Sequence, residues 1–195
     1  LVVAILAVWL AAARLDDDQV HPHEFFTLIL FSVVGMLGLA TAAEAISLFV
    51  ALEIMSVALY ALCAMPRTDP RRQEAGIKYF ITGAFSSAFL LFGIALLYGA
   101  SGSTTLAVMA QGVSGGGPLA LMGAAFFFVG FLFKVGAAPF HMWAPDVYQG
   151  ATTSVTAFMA AGVKIAAFGA LGRVVALTLG GLGDSWAPGV ALVAG

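Results

Sequence analysis

The sequence predicts an all-α, multi-spanning membrane protein, and three observations carry the prediction. Hydrophobic residues make up 62% of the chain and charged residues 9%, against about 25% charged in a soluble domain; the mean hydropathy is +1.04. The apolar residues fall into separate runs, most of them about 20 residues or longer, enough to cross ~30 Å of hydrocarbon at 1.5 Å per residue. The runs are apolar on every side, without the two-residue alternation of a barrel strand. Helices are therefore the structures that satisfy the backbone in lipid.

Seven apolar segments follow one another. They cover residues 1–13, about 25–43, 45–65, 74–98, 119–138 and 153–179, and a last one begins near Val190. The chain opens inside an apolar run without Met and closes at the start of another. It is expected to be a single transmembrane domain, residues 1–195, belonging to a longer chain. A signal peptide over the first run is disfavoured, because no charged segment precedes it.

Arg14 lies in the first loop, and Arg67, Arg71 and Arg72 in the third. The loops near residues 41–44, 100–118 and 180–188 carry no Lys or Arg. The positive-inside rule then puts Arg14, the 66–72 loop and the 141–150 loop on the cytoplasmic side. The Gly/Ser-rich stretch 99–117 falls outside and reads as a flexible connector, its glycines matching no phosphate loop. A net charge of −2 with no basic run excludes nucleic acid as a partner. The single cysteine, Cys63, reads as a small buried hydrophobe.

The charges inside the apolar runs are the chemical signal. All three lysines, Lys78, Lys134 and Lys164, lie there, with Glu53. Each costs roughly 2.5–3.5 kcal/mol at the bilayer centre unless it faces protein, water or an opposite charge. Spacing supports a polar seam: Glu53, Ser56 and Tyr60 share one helix face, as do Lys78, Thr82 and Ser86, and Thr156, Ala160 and Lys164. A hydrated proton path is one reading. Interhelical salt bridges, hydroxyls that glue helices, and snorkelling are the others, and snorkelling applies most to Lys78, close to Arg72.

The fifth segment should break at Pro139, which has no N–H and clashes with the carbonyl of Val135, beside Lys134; Pro145 repeats the effect at His141. If the helix roughly continues, Lys134, Ala138 and His141 share a face, and water bridges about 10 Å between Lys134 and His141. A cap or loop hydrogen bond is the other reading of His141. A metal site is not expected, because His21 and His23 sit in a distant loop and no cysteine cluster exists. Lysine suits proton transfer because desolvation and a nearby carboxylate act on it in opposite senses. At 4 Å the pair attraction is about 4 kcal/mol at an effective dielectric of 20. Moving Glu53 toward or away from Lys134 would switch the lysine between holding and releasing its proton, which arginine cannot do.

Residues 133–151, FKVGAAPFHMWAPDVYQGA, resemble the antiporter-like membrane subunits of NADH–quinone oxidoreductase, respiratory complex I. The Val147-Tyr148-Gln149-Gly150 continuation resembles subunit N more than L or M. Leu52-Glu53-Ile54-Met55-Ser56, residues 74–80 and residues 161–168 resemble the glutamate helix and the two lysine helices of that family. The resemblance implies a fourteen-helix fold, with this chain covering about helices three to eight and the start of nine. It implies that Glu53 on helix five pairs with Lys134 on the broken helix seven, and that Lys164 on helix eight passes protons onward. It further implies a multi-pass protein of the bacterial cell membrane among other complex I membrane subunits. No cofactor is expected in this chain, and NADH, FMN, iron–sulfur clusters and quinone are expected in other subunits. A cation/proton antiporter of the Mrp type and a structural scaffold are the alternatives. Thr152 stands where the family usually has a proline, so the next helix is expected to begin with a different shape; Ser154 stands at a second such position, where serine is expected to be tolerated.

Overall fold

A computed structural model describes residues 2–13, 20–182, 187–188 and 191. Arg14 and the beginning of the seventh segment near Val190 lie outside the described residues. The chain folds as α1 (Val2–Ala12), α2 (Pro22–Thr41), α3 (Ala45–Cys63), α4 (Pro70–Ser101), α5 (Leu106–Val113), α6 (Pro118–Val135), α7 (Trp143–Gly150) and α8 (Thr153–Leu179). Five of these, α2, α3, α4, α6 and α8, are long and apolar enough to cross a membrane. Successive spans run antiparallel, so the ends near Pro22, Cys63, Pro70, Val135 and Thr153 share one side.

Small residues set how closely the spans approach. A Cβ on Gly35 of α2 would sit 2.4 Å from the Met55 amide nitrogen of α3, and one on Gly93 of α4 would sit 2.5 Å from the Phe127 nitrogen of α6. Close backbone approach of this kind replaces the hydrophobic drive that lipid removes. Leu48, Leu52, Met55 and Leu59 of α3 are fully buried, whereas Phe31, Val34, Phe85 and Phe92 of α2 and α4 face outward.

Four boundaries differ from the expectation. Arg71 and Arg72 belong to the first turn of α4, not to a loop, because Pro70 starts that helix and the Asp69 carboxylate accepts the Arg71 N–H at 2.9 Å. The 99–117 stretch is not a simple connector. It holds α5, whose Leu106, Met109 and Val113 are buried, and the loop before α5 is tied to the loop after α2 by Ala45 N to Thr104 O (2.9 Å) and Leu106 N to Ala43 O (3.0 Å). The fifth segment's helix ends at Val135, before the proline at position 139: Gly136 adopts a φ of +69° and caps α6, and the Ala137 N–H closes on Leu132 O at 2.9 Å. A left-handed glycine closing two bonds of this kind ends a helix before a proline needs to. Pro145 breaks nothing, because it falls in the first turn of α7, where no intrahelical N–H is lost.

Thr152 has φ −64° and ψ 152°, the backbone a proline ring would impose. Thr152 thus keeps a backbone that a proline could also adopt, and its carbonyl accepts the Thr156 N–H at 2.9 Å as α8 begins. Within α8, residues Met159–Val163 and Val175–Leu179 form π-helical turns. The first lies between Thr156 and Lys164, so their i, i+4, i+8 spacing does not hold: Ala160 is exposed while Thr156 and Lys164 are half-buried.

Candidate functional site

Lys134 occupies the last turn of α6 and is 2% exposed. Its ammonium has three donors. One meets the Tyr60 hydroxyl of α3 at 3.4 Å, and the Tyr60 and Tyr79 rings lie 5.4 and 5.6 Å from the nitrogen. Gly83 makes this possible: a Cβ there would sit 2.1 Å from the Tyr60 oxygen.

Glu53 lies on the same face of α3 as Ser56 and Tyr60, as the spacing indicated. Its carboxylate does not ion-pair with Lys134 among the described residues. Instead it accepts a hydrogen bond from Ser87 of α4 at 2.5 Å, and it lines a 400 Å³ recess with Leu28, Phe31 and Val57. The direct pair implied by the resemblance is thus replaced by two hydroxyl contacts, Ser87 on the glutamate and Tyr60 on the lysine. Ser56 back-bonds to Leu52 O, and Ser86 donates to Gly130 O at 3.1 Å. Ser56 thus bonds within α3, and Ser86 joins α4 to α6.

The turn after Lys134 is sealed by an aromatic group. Trp143 is 4% exposed and donates its indole N–H to Phe133 O at 3.1 Å. The capping bonds and this indole therefore satisfy the carbonyls of Leu132 and Phe133, just before Lys134. Trp143 stacks on Tyr79 (4.7 Å between centroids, 13°) and on Phe133, and Tyr148 meets it edge-on at 5.9 Å. Lys164 lies beyond, its nitrogen 5.9 Å from the Tyr148 ring centre. Lys134, Tyr79, Trp143, Tyr148 and Lys164 therefore form one continuous run of contacts.

Lys78 and His141 stand apart. Lys78 is nearly half exposed and pairs with Asp146 of α7 at 2.7 Å and Glu74 at 2.8 Å. It is the interhelical salt bridge that was one of its readings, and it ties α7 to α4. His141 is exposed in the turn before α7, and its backbone carbonyl accepts the Ala144 N–H. It does not share a face with Lys134, because α6 stops before it and the chain turns.

Sequence reading passed over Ser87, Tyr79, Trp143 and Arg173. Tyr79 adjoins Lys78 and Trp143 lies in the motif run, so both were within view. Arg173, of α8, donates to the carbonyls of Leu39 (3.3 Å), Ala40 and Ala42 (3.0 Å), capping α2 on the side opposite Arg67, Arg71 and Arg72. On the other side Arg67, before α4, is held by Glu24 (3.0 Å), and Arg72, in the first turn of α4, by Asp69 (3.2 Å).

A helix bundle of this kind, with one lysine buried at a helix break and a second reached through aromatic rings, is a multi-spanning membrane protein with an ionisable interior. Residues 42–194 match the family described as NADH:quinone oxidoreductase/Mrp antiporter, transmembrane, and the chain belongs to that family. It is 53% identical over 174 residues to NADH-quinone oxidoreductase subunit N 3 of Streptomyces griseus, covering 82% of this chain and 31% of that protein. It is 51% identical over 170 residues to NADH-quinone oxidoreductase subunit N of Mycobacterium tuberculosis, covering 85% and 32%. A chain of respiratory complex I from Thermus thermophilus superposes with a TM-score of 0.71 at 47% identity, over 78% of this chain and 34% of that one. A chain of the Mrp complex from Dietzia shares the fold, with a TM-score of 0.81 at 23% identity. The chain thus spans about a third of the length of the curated relatives it matches.

Proposed function

We propose that this chain is the part of a subunit N that carries protons between Glu53, Lys134 and Lys164, within a membrane complex whose redox chemistry drives the movement. The observation that carries the reading is the Lys134 ammonium, buried at a helix end with one hydroxyl partner and a carboxylate held on the neighbouring helix face. Burying a charge so sparsely satisfied is costly for a structural bridge, and a group that changes protonation is the use that offsets it. The about 50% identity to proteins named subunit N supports the complex I setting over the Mrp alternative, which rests on fold alone.

In this reading Glu53 and Lys134 exchange influence through space, each steadied by a hydroxyl, and Lys164 receives the proton. Lys78 and His141 act at the boundary, Lys78 as a clamp on α7. The Arg67–Arg72 side is cytoplasmic, and Arg173, its charge turned onto carbonyls, does not offset that asymmetry. In this reading NADH, FMN, iron–sulfur clusters and quinone are held by other subunits of the complex.

The test replaces Lys134 in the full-length subunit within its assembled complex. Lys134→Ala is expected to abolish most proton uptake into proteoliposomes, and Lys134→Arg is expected to fail too, because its charge is permanent. Normal pumping by Lys134→Ala overturns the reading, and full pumping by Lys134→Arg shows that charge alone suffices.

A further inference from the structure

We infer that the short helix α7 is a plug over Lys134 on the Arg67–Arg72 side, and that Asp146, through its ion pair with Lys78, is the positioning residue that seats it. That the plug governs proton access rests on Lys134 being a proton site. Lys134 lies in the last turn of α6, which ends on that side. Trp143, the first residue of α7, packs against this turn. Its indole N–H is donated to Phe133 O at 3.1 Å, and its ring stacks on Phe133 at 5.5 Å and on Tyr79 at 4.7 Å. The Tyr79 ring in turn lies 5.6 Å from the Lys134 nitrogen. With Trp143 seated, Lys134 is 2% exposed.

The seat is one face of α4. Ala75, Lys78 and Tyr79, at i, i+3 and i+4, meet Gly150, Asp146 and Trp143, at i, i−4 and i−7, so α7 runs antiparallel along that face. Gly150 permits the approach, since a Cβ there would sit 2.4 Å from the Ala75 Cβ. The Asp146–Lys78 contact, at 2.7 Å, is the ionic one of the three. Both ends of α7 are joined by links that are not helical. Residues 136–142 form turns before it, and Ala151 and Thr152 after it are extended, with ψ of 161° and 152°. Short links of this kind let an eight-residue helix tilt as a unit.

Lys78 is shared between two carboxylates. Glu74, one turn back on α4, holds the same ammonium at 2.8 Å. When Asp146 leaves, Lys78 keeps a partner, so release strands no cation. The side chains of Lys78, Asp146 and Glu74 are 46%, 57% and 64% exposed, and an ion pair that open to solvent shifts an equilibrium by no more than about five-fold. A 500 Å³ recess lined by Arg67, Gln73, Glu74 and Lys78 opens beside the pair. The pair is thus strong enough to bias α7 toward its seat and weak enough to release it. Asp146 favours the seated helix, and Glu74 favours the released one.

Release has a direct consequence at Lys134. The indole N–H exchanges Phe133 O for water, and the faces of Tyr79 and Phe133 that Trp143 covered are bared. Water then reaches the last turn of α6 from the Arg67–Arg72 side. A hydronium ion gives one proton to the neutral Lys134 amine, leaving water and the ammonium. Reseating α7 closes that side again, with the new charge held against the Tyr60 hydroxyl.

The experiment measures access to Lys134 in the assembled complex with the full-length subunit. The complex is treated with sulfonated N-hydroxysuccinimidyl acetate, a water-soluble amine reagent, and acetylation of Lys134 is followed by mass spectrometry. Asp146→Asn is expected to raise the labelling rate by about two- to five-fold, and Trp143→Ala by more. Asp146→Glu, which keeps the carboxylate, should stay near wild type. Glu74→Gln should lower the rate, because a released α7 then leaves Lys78 unpaired. A general loosening of the fold would move Asp146→Asn and Glu74→Gln in the same direction, so opposite signs identify the shared ammonium. Unchanged labelling in both Trp143→Ala and Asp146→Asn overturns the plug, and a rise in Glu74→Gln overturns the seat even if Asp146→Asn assembles poorly. Where Lys134→Ala is inactive in pumping but labelling ignores α7, only this inference fails. Where Lys134→Ala pumps normally, the proton reading fails, whatever the labelling shows.

Discussion

Gly83→Ala tests the geometry around Lys134 with a single methyl group that carries no charge. The new Cβ would lie 2.1 Å from the Tyr60 oxygen, 2.7 Å from its Cζ and 3.0 Å from its Cε1. To reach carbon contact distance the hydroxyl must retreat by roughly 1.4 Å. The ring has little freedom to follow, because Tyr79 packs edge-on at 4.8 Å and Phe80 at 5.7 Å. The Tyr60–Lys134 contact already stands at 3.4 Å, so a shift of that size ends it. A hydrogen bond to a charged group contributes ~1.5–3 kcal/mol; at this length the lower figure applies, which corresponds to roughly ten-fold in rate. Stability should move little, because alanine gains about 1 kcal/mol in helix propensity against ~1–3 kcal/mol of overpacking. The assay is initial proton uptake by proteoliposomes holding equal amounts of assembled complex, with thermal inactivation measured alongside. Tyr60→Phe, which removes the oxygen without a clash, should lose a similar factor. Wild-type pumping by Gly83→Ala refutes the reasoning, and so does a loss that Tyr60→Phe does not share.

Ser87→Ala removes the donor to Glu53 and should cut pumping several-fold, whereas Ser86→Ala, next along α4 but bonded to Gly130 O, should leave pumping near normal; equal effects in the same assay would remove Ser87 from the site. Gly136→Ala meets no clash but must hold φ near +69°, at a cost of roughly 1 kcal/mol, so the assembled complex should inactivate at lower temperature, and a stabilised variant would contradict the capping role. Arg173→Ala strips the partner from the end of α2 and should destabilise by ~1–3 kcal/mol, with Lys restoring only part because an ammonium cannot fork to several carbonyls; full rescue by Lys in thermal unfolding would show that charge, not the fork, matters.

Much of the site was legible because it depends on what lipid forbids. Lys134 and Glu53 are conspicuous in apolar runs, since any charge there needs a reason, and the i, i+3, i+7 relation of Glu53, Ser56 and Tyr60 follows from helix geometry alone. What stayed hidden was which partner each charge takes. Helix spacing picked out Ser86, and only the crossing of α3 and α4 decides that its neighbour Ser87 meets Glu53. Lys78 looked like Lys134 on hydropathy, but the turn after α6 brings Asp146 to it.

By itself, then, the sequence determined the solvent, the helical class, the antiparallel order of spans and the identity of the misplaced charges, because each is a property of composition and period. The tertiary structure decided where α6 ends, that Lys134 meets a tyrosine instead of a glutamate, and that aromatic rings stand between the two inner lysines. Those outcomes depend on a left-handed glycine, on glycines admitting close neighbours and on a π-helical turn redirecting Lys164, and each turns on distances of an ångström or two between residues far apart in the chain.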